Sequence, residues 1–225
     1  DTLKRTYEEY NSITFNYFRN QYNKKVLSRR VSIHKDSLYS RSATFNSQRQ
    51  LANLDIFKFI NVNYEQISTE SDSSAGQFIS HIFCSPLDRY SWSNEAGVTV
   101  TQGFPGPYIS TNFKMRNLFR GLEILEINGR YGFEGVASVT DRANIYTSTE
   151  ASLNGSITFP QFLFPFGEKA ATRMAKYNPR TRLLAGFTFT ERPEYTRSIT
   201  TVSNTYTWQN KQTTQLSLTL INLNI

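Results

Sequence analysis

The stretch NLFRGLEILEINGRYGFEG, residues 117–135, places Leu125, Ile127, Tyr131 and Phe133 alternately with Glu126, Asn128, Arg130 and Glu134. A period of two is the mark of a β-strand, because successive side chains point to opposite faces of a sheet. One face of this strand is apolar and the other is charged. An apolar face must be covered, either by a second protein layer or by lipid, and that choice constrains the fold more than any other feature.

The pattern repeats through the C-terminal part of the chain, with about seven strands expected after residue 85. Residues 90–103 carry Tyr90, Trp92, Ala96, Val98 and Val100 on one parity, and GFPGPY reads as a turn. Residues 108–116 set Ile109, Phe113 and Met115 against Ser110, Asn112, Lys114 and Arg116. Residues 145–159 carry Leu153 and Ile157 opposite Glu150 and a run of Ser, Thr and Asn. After an irregular connection at 160–181 with one helical turn, strands are expected at 182–190 (Leu183, Phe187 and Phe189 on one face), 196–208 and 215–225. In the last, apolar parity flips from Leu216, Leu218 and Leu220 to Ile221, Leu223 and Ile225, the signature of a bulge or a strand end.

Before residue 85 the signals mix. SITFNYF (12–18) reads as a strand, 23–33 as a short helix, and 36–55 as a longer helix capped by Asp36 or Ser37. That helix has a thin apolar stripe of Leu38, Phe45, Leu51 and Ala52. Strands follow at 56–67 and 78–87, around a polar loop at 68–77. The expected order is β-α-α-β-β, which divides the chain into residues 1–87 and 88–225.

Composition narrows the function. Aromatics make up 14% of the 225 residues, with 17 Phe and 13 Tyr, which suits cross-strand packing. The net charge of +7 invites an anionic partner, but the only basic cluster is Lys24, Lys25, Arg29 and Arg30, which reads as a solvated helix face rather than a nucleic-acid site. His34, His81 and Cys84 have no metal-ligand spacing, and no phosphate or dinucleotide fingerprint occurs. Glu126, Glu134 and Glu150 read as scattered charges, not an acid–base pair. The expectation is a protein with no enzymatic activity and no cofactor.

The polar face is rich in Ser, Thr, Asn and Gly, which suits the wet lumen of a barrel. Strands of about nine to eleven tilted residues cross a bilayer. Tyr90, Trp92, Phe119, Phe159, Phe162, Phe164, Phe166 and Trp208 lie near strand ends, as interfacial aromatics do. On the pattern alone, a soluble β-sandwich with these aromatics in its core is equally compatible. If the hairpin centres near Arg120, Lys114 faces Glu126.

Four stretches carry a resemblance. LANLDIFKFINVNYEQ resembles the last helix-to-strand step of a POTRA domain, with Asp55 where that family usually has glycine. MRNLFRGLEILEINGRYGFE is similar to the periplasmic turn and following strand of the BamA/TamA family of outer-membrane assembly proteins. SITFPQFLFPF resembles a strand end of that family, and NPRTRLLAGFTFTERPEYTR resembles its TamL branch in Bacteroidota. The resemblance implies an α+β POTRA domain (1–87) in the periplasm, followed by the first seven or so strands (88–225) of an antiparallel transmembrane β-barrel. A barrel wall of this size does not close, so the chain is expected to be a fragment or the ordered part of a longer one.

The implied function is insertion of other barrel proteins into the outer membrane. The implied partners are client barrel proteins, accessory assembly subunits or an inner-membrane partner, and the lipid bilayer. The first barrel strand would bind client strands through Tyr90, Trp92, Asn94, Glu95, Ala96, Gly97 and Val98. Gly97 would weaken that strand, and Pro105 and Pro107 would withhold ladder bonds at its outer end. Ile109, Phe113, Leu125, Ile127, Tyr131, Phe133, Leu153, Ile157, Phe187 and Phe189 would face lipid. Lys114, Glu126, Asn128, Arg130, Glu134 and Glu150 would face the lumen. A protein-secretion pore of the same superfamily and a soluble β-rich binding module are the alternatives.

Overall fold

The computed structural model describes residues 5–67, 77–101, 104–137, 145–163, 172–192, 194–211 and 214–225. VTDRAN at 139–144, which reads as a turn in the sequence, nearly all of the loop at 68–77, and Phe164 and Phe166 lie outside these residues.

The chain opens with a hairpin of β1 (Thr6–Tyr10) and β2 (Ile13–Tyr17), which forms a two-stranded sheet of its own. Asn11 and Ser12 between them have φ of 52° and 60°, the left-handed pair that a two-residue hairpin turn requires. β1 was not expected. Its sequence, TYEEY, has no clean alternation, and Asn-Ser is a weaker turn signal than Asn-Gly.

Two helices follow, α1 (Lys24–Ser28), capped by the Asn23 side chain, and α2 (Arg41–Ala52). The cap of α2 is Ser40, whose hydroxyl accepts from the Ala43 N–H, and not Asp36 or Ser37. Asp36 sits in a turn with φ of 59°, whereas an N-cap needs an extended backbone. The buried face of α2 also differs from the expected stripe. Ser47, Gln50 and Leu51 are buried, while Leu38 and Phe45 stand exposed. Ser47 explains part of this, because its hydroxyl accepts from Ser32 N–H and donates to the Ala43 carbonyl.

Asp55, with φ of 54°, turns the helix end into β3 (Phe57–Gln66), which pairs with β4 (Phe78–Pro86) in a second two-stranded sheet. The order is thus β-β-α-α-β-β, with the first expected strand paired to β1 and not to β3 or β4. A small core joins Val26, Leu51, Leu54, Ile56 and Phe57 to Leu122, with Tyr22, Ile60, Ile82 and Ile124 packed around it. Leu122 and Ile124 come from a turn and strand of the C-terminal part of the chain, so the N-terminal unit shares this core with the strands that follow it.

The remaining strands form one antiparallel meander: β5 (Tyr90–Thr101), β6 (Phe104–Arg116), β7 (Ile124–Ala137), β8 (Ile145–Phe159), β9 (Arg180–Arg192), β10 (Tyr195–Lys211) and β11 (Thr214–Asn224). Each strand pairs with its sequence neighbours, so β5 and β11 are the two edges. A 3₁₀ turn, Ala175–Tyr177, interrupts the connection from β8 to β9. The flip of parity in β11 is a bulge: Asn204 pairs with Ile221 and Thr205 with Thr219, leaving Leu220 as the extra residue.

One expectation changes at β6. Phe104 through Pro107 belong to the strand and not to a turn, with Pro107 opposite Val98 and Pro105 opposite Val100. Proline is admitted because the β6–β7 register ends at Tyr108 opposite Gly132, so no ladder donor is required of residues 105 and 107 on that side.

Candidate functional site

The register sorts side chains across the whole sheet. Rows such as Trp92–Phe113–Ile127 and Ile109–Tyr131–Ala151–Phe189 share one face, as do Met115–Leu125–Ile157–Leu183 and Gly129–Leu153–Phe187. All ten residues expected to face lipid lie on it. The six expected to face a lumen lie on the opposite face, with Lys114 opposite Glu126 and Arg130 opposite Ser110 and Ser152. Many large apolar side chains of the first face are exposed among the described residues: Trp92 is 72% exposed, Ile109 56% and Leu153 58%. Phe162 departs from the expected aromatic girdle. It is buried against Tyr206 and Trp208, with ring centres 5.4 and 6.1 Å away.

The polar face holds an ion network near the rim that carries the 117–123 turn. Lys114 Nζ lies 2.8 Å from Glu126 Oε1 and 3.3 Å from Asp55 Oδ2, and Arg182 Nη2 lies 3.9 Å from the other Glu126 oxygen. The Lys114–Glu126 pair is the one that a hairpin centred on Arg120 dictates. Arg116 Nε also donates to the Asp55 carbonyl at 2.9 Å.

The turn itself is built by polar contacts. Glu123 accepts from the N–H groups of Phe119 and Gly121, and Asn117 Oδ1 accepts from Leu122 N–H. Asn117, Arg120 and Leu122 all have positive φ, which is strained for residues with a Cβ and is held here by these bonds. The Arg120 carbonyl accepts from Asn23 N–H at 2.9 Å, and Asn117 Nδ2 donates to the Gln21 carbonyl at 2.7 Å.

Arg30 completes the joint and was not expected from the sequence, where it read as part of a solvated basic face. It is 2% exposed. Its guanidinium donates to Gln50 Oε1 at 3.0 Å, Asn178 Oδ1 at 2.9 Å and the Pro179 carbonyl at 3.1 Å, and also to the Pro160 carbonyl. Burial, with Arg180 nearby, pushes it down to about 10, so it stays charged at neutral pH. Arg180 donates to the Asn53 carbonyl, and Gln50 Nε2 to the Lys176 carbonyl. The N-terminal unit is therefore bolted to the rim of the sheet through β8, β9 and the 117–123 turn.

The candidate strand-accepting element is β5, whose outer edge has no protein strand beside it among the described residues. Tyr90, Trp92, Asn94, Ala96 and Val98 lie on the apolar face, and Glu95 and Gly97 on the polar face. Gly97 has a reason beyond weakness. A Cβ there would meet the Tyr108 ring at 2.9 Å, so glycine makes room for that ring. An edge of this kind can accept an extended chain through backbone hydrogen bonds.

No family model matches the chain, and no curated protein matches its sequence. Among solved structures, BamA from Haemophilus ducreyi lacking POTRA domains 1–3 is similar, at 11% identity and a TM-score of 0.37. The alignment covers 90% of this chain and 46% of that one, so the chain spans about half the length of the structure it matches.

Proposed function

We propose that the seven-stranded sheet is part of an outer-membrane barrel wall and that the chain serves in assembly of other barrel proteins. The observation that carries this reading is the exposed apolar face, kept in register from β5 to β9 with no second layer over it among the described residues, backed by a face of Ser, Thr, Asn and paired charges. A β-sandwich needs a facing sheet at about 10 Å, and none is present among the described residues. In a bilayer the same face needs no protein cover.

In this reading residues 5–87 lie in the periplasm as a POTRA-like unit, and β5 presents its outer edge to a client strand. The clients are barrel proteins that bury their own apolar strands in lipid, which supplies the driving force without a nucleotide. Accessory subunits or an inner-membrane partner would dock on the N-terminal unit, whose two hairpins have free edges among the described residues.

The test is site-directed crosslinking in a Cys84→Ser background. Cysteine placed at Ala96, which is exposed on β5, should form an adduct with a strand of a stalled barrel client. Absence of any adduct under conditions where that client still inserts would overturn the strand-acceptor role. Failure of the protein to partition with outer membranes would overturn the barrel reading as a whole.

A further inference from the structure

β5 is tied to β6 by side chains on both faces, within the stretch that the acceptor role uses. On the apolar face Trp92 Nε1 donates to Thr111 Oγ1 at 2.7 Å, and Thr111 donates in turn to Asn94 Oδ1 at 2.8 Å. This is a three-residue relay across the two strands, set on an otherwise apolar surface. Hydroxyl and amide groups on such a surface are costly unless they pair, and these pair with each other.

On the polar face Tyr108 reaches back across Gly97, and its hydroxyl donates to Glu95 Oε1 at 2.6 Å. The Arg130 guanidinium lies 4.3 Å from the centre of the Tyr108 ring, and its Nη2 donates to Thr99 Oγ1 at 3.4 Å. Arg130 belongs to β7, so this second relay spans three strands. Above Tyr108 the hairpin formed by β5 and β6 has no further register with β7, while β5 and β6 remain paired to Thr101 opposite Phe104. The two strands are thus fastened to each other over a longer span than β6 is to β7.

We propose that Trp92, Asn94 and Thr111 on one face, with Glu95, Tyr108 and Arg130 on the other, are positioning residues that make β5 and β6 a single clamped hairpin, so that β5 takes and releases partner strands only at its outer edge. The proposal rests on the acceptor role given to β5. It adds that a partner never enters between β5 and β6, and that the clamp sets the register in which the outer edge is presented. A slip by two residues would keep every side chain on its own face, so backbone pairing alone does not prevent it, whereas the relays do.

The decisive experiment locks the hairpin. Ser93 and Asn112 are opposite each other, and the pair Ser93→Cys and Asn112→Cys, in the full-length protein without Cys84, can be oxidised and reduced. The expected result is equal insertion of a barrel client into liposomes in both forms, and an undiminished adduct from the Ala96 position. Loss of insertion on oxidation that returns on reduction would overturn the clamp while leaving the acceptor role standing. Absence of the Ala96 adduct in both forms would overturn the acceptor role and the clamp with it.

A second measurement reads the register. Tyr108→Phe should lower the adduct at its normal client position roughly tenfold or more, the factor belonging to one hydrogen bond to a charged group, with new adducts two client residues away. Glu95→Gln, which keeps an acceptor oxygen, should hold the normal position where Glu95→Ala loses it. An unchanged adduct position in both Tyr108→Phe and Glu95→Ala would overturn the positioning role, whatever happens to protein yield.

Discussion

The two halves of the molecule spend their apolar side chains in opposite ways. Around α2 and β3, Val26, Leu51, Leu54 and Ile56 are buried in a core closed by Leu122. In the sheet, side chains as large as Trp92, Leu153 and Leu218 remain exposed, though each strand is longer and pairs with its sequence neighbours. In water, each such side chain would forgo about 1.5–3 kcal/mol available from burial. The lesson is that pairing and burial are separate requirements. The N-terminal unit closes a small core with protein, whereas the sheet pairs its strands with one another and leaves much of one apolar face to its solvent.

The sharpest way to break this contrast is at the residue that belongs to both halves. Leu122 is 1% exposed and sits in a turn of the sheet while packing in the core of the N-terminal unit. Leu122→Ala should cost roughly 2–5 kcal/mol, as buried leucine truncations do. Limited proteolysis should show the loss as faster cleavage throughout 20–60, with β7 to β9 still protected. Equal loss of protection in the sheet would mean that the two regions unfold as one.

A charge on the apolar face is the next test. Ile127→Lys should destabilise the bilayer-inserted protein by roughly 2–4 kcal/mol if residue 127 lies near the midplane, whereas a polar-face change such as Asn128→Lys should change little. Reversible unfolding in lipid vesicles measures both. Equal, small effects at 127 and 128 would place both faces in water and remove the barrel reading.

How much of this was legible differs between the halves for a physical reason. The sheet repeats a local rule of period two, so facing residues follow from parity and a turn centre. Hence Lys114 opposite Glu126 could be anticipated, and the parity flip after Leu220 pointed to a bulge or a strand end. The N-terminal unit depends on contacts far along the chain. Arg30 is a basic residue in a basic run, and nothing near it signals that carbonyls of Pro160 and Pro179 will surround it. α2 misled for the same reason. Its buried residues include Ser47 and Gln50 because they meet polypeptide backbone, so an apolar stripe was the wrong signal. In β6 a local rule failed at Pro105 and Pro107, since proline stops a strand only where a ladder donor is needed.

The start of α2 tests whether the N-terminal unit draws on local as well as tertiary bonds. Ser40→Ala removes the acceptor for Ala43 N–H and should cost about 1 kcal/mol, seen as a lowered unfolding midpoint. Ser37→Ala, at the cap position that the sequence suggested, should leave the midpoint nearly unchanged. The reverse ranking would put the helix start back at residue 37.

The smallest effect should come from the first hairpin, whose attachment is electrostatic. Lys24 Nζ donates to Glu8 and lies 3.1 Å from the Tyr17 hydroxyl, which donates to Glu8 at 2.8 Å. The Lys24 bond, followed by that from Tyr17, holds the Glu8 carboxyl below its ordinary 4.5. A depressed carboxyl stabilises the folded form above its unfolded value and loses that contribution as pH falls through the folded one. Acidification from neutral to below 4.5 should therefore free β1 and β2 before it disturbs the large sheet, whose strands are held by a continuous backbone ladder. Amide exchange at Thr6–Tyr10 should rise selectively on acidification, after correction for intrinsic rates, and Glu8→Gln should show the raised exchange already at neutral pH. If β1 and β7 lose protection together, the hairpin is held by something other than this ion pair, and the contrast between a sheet held by backbone and a unit held by side chains fails at its N-terminal end.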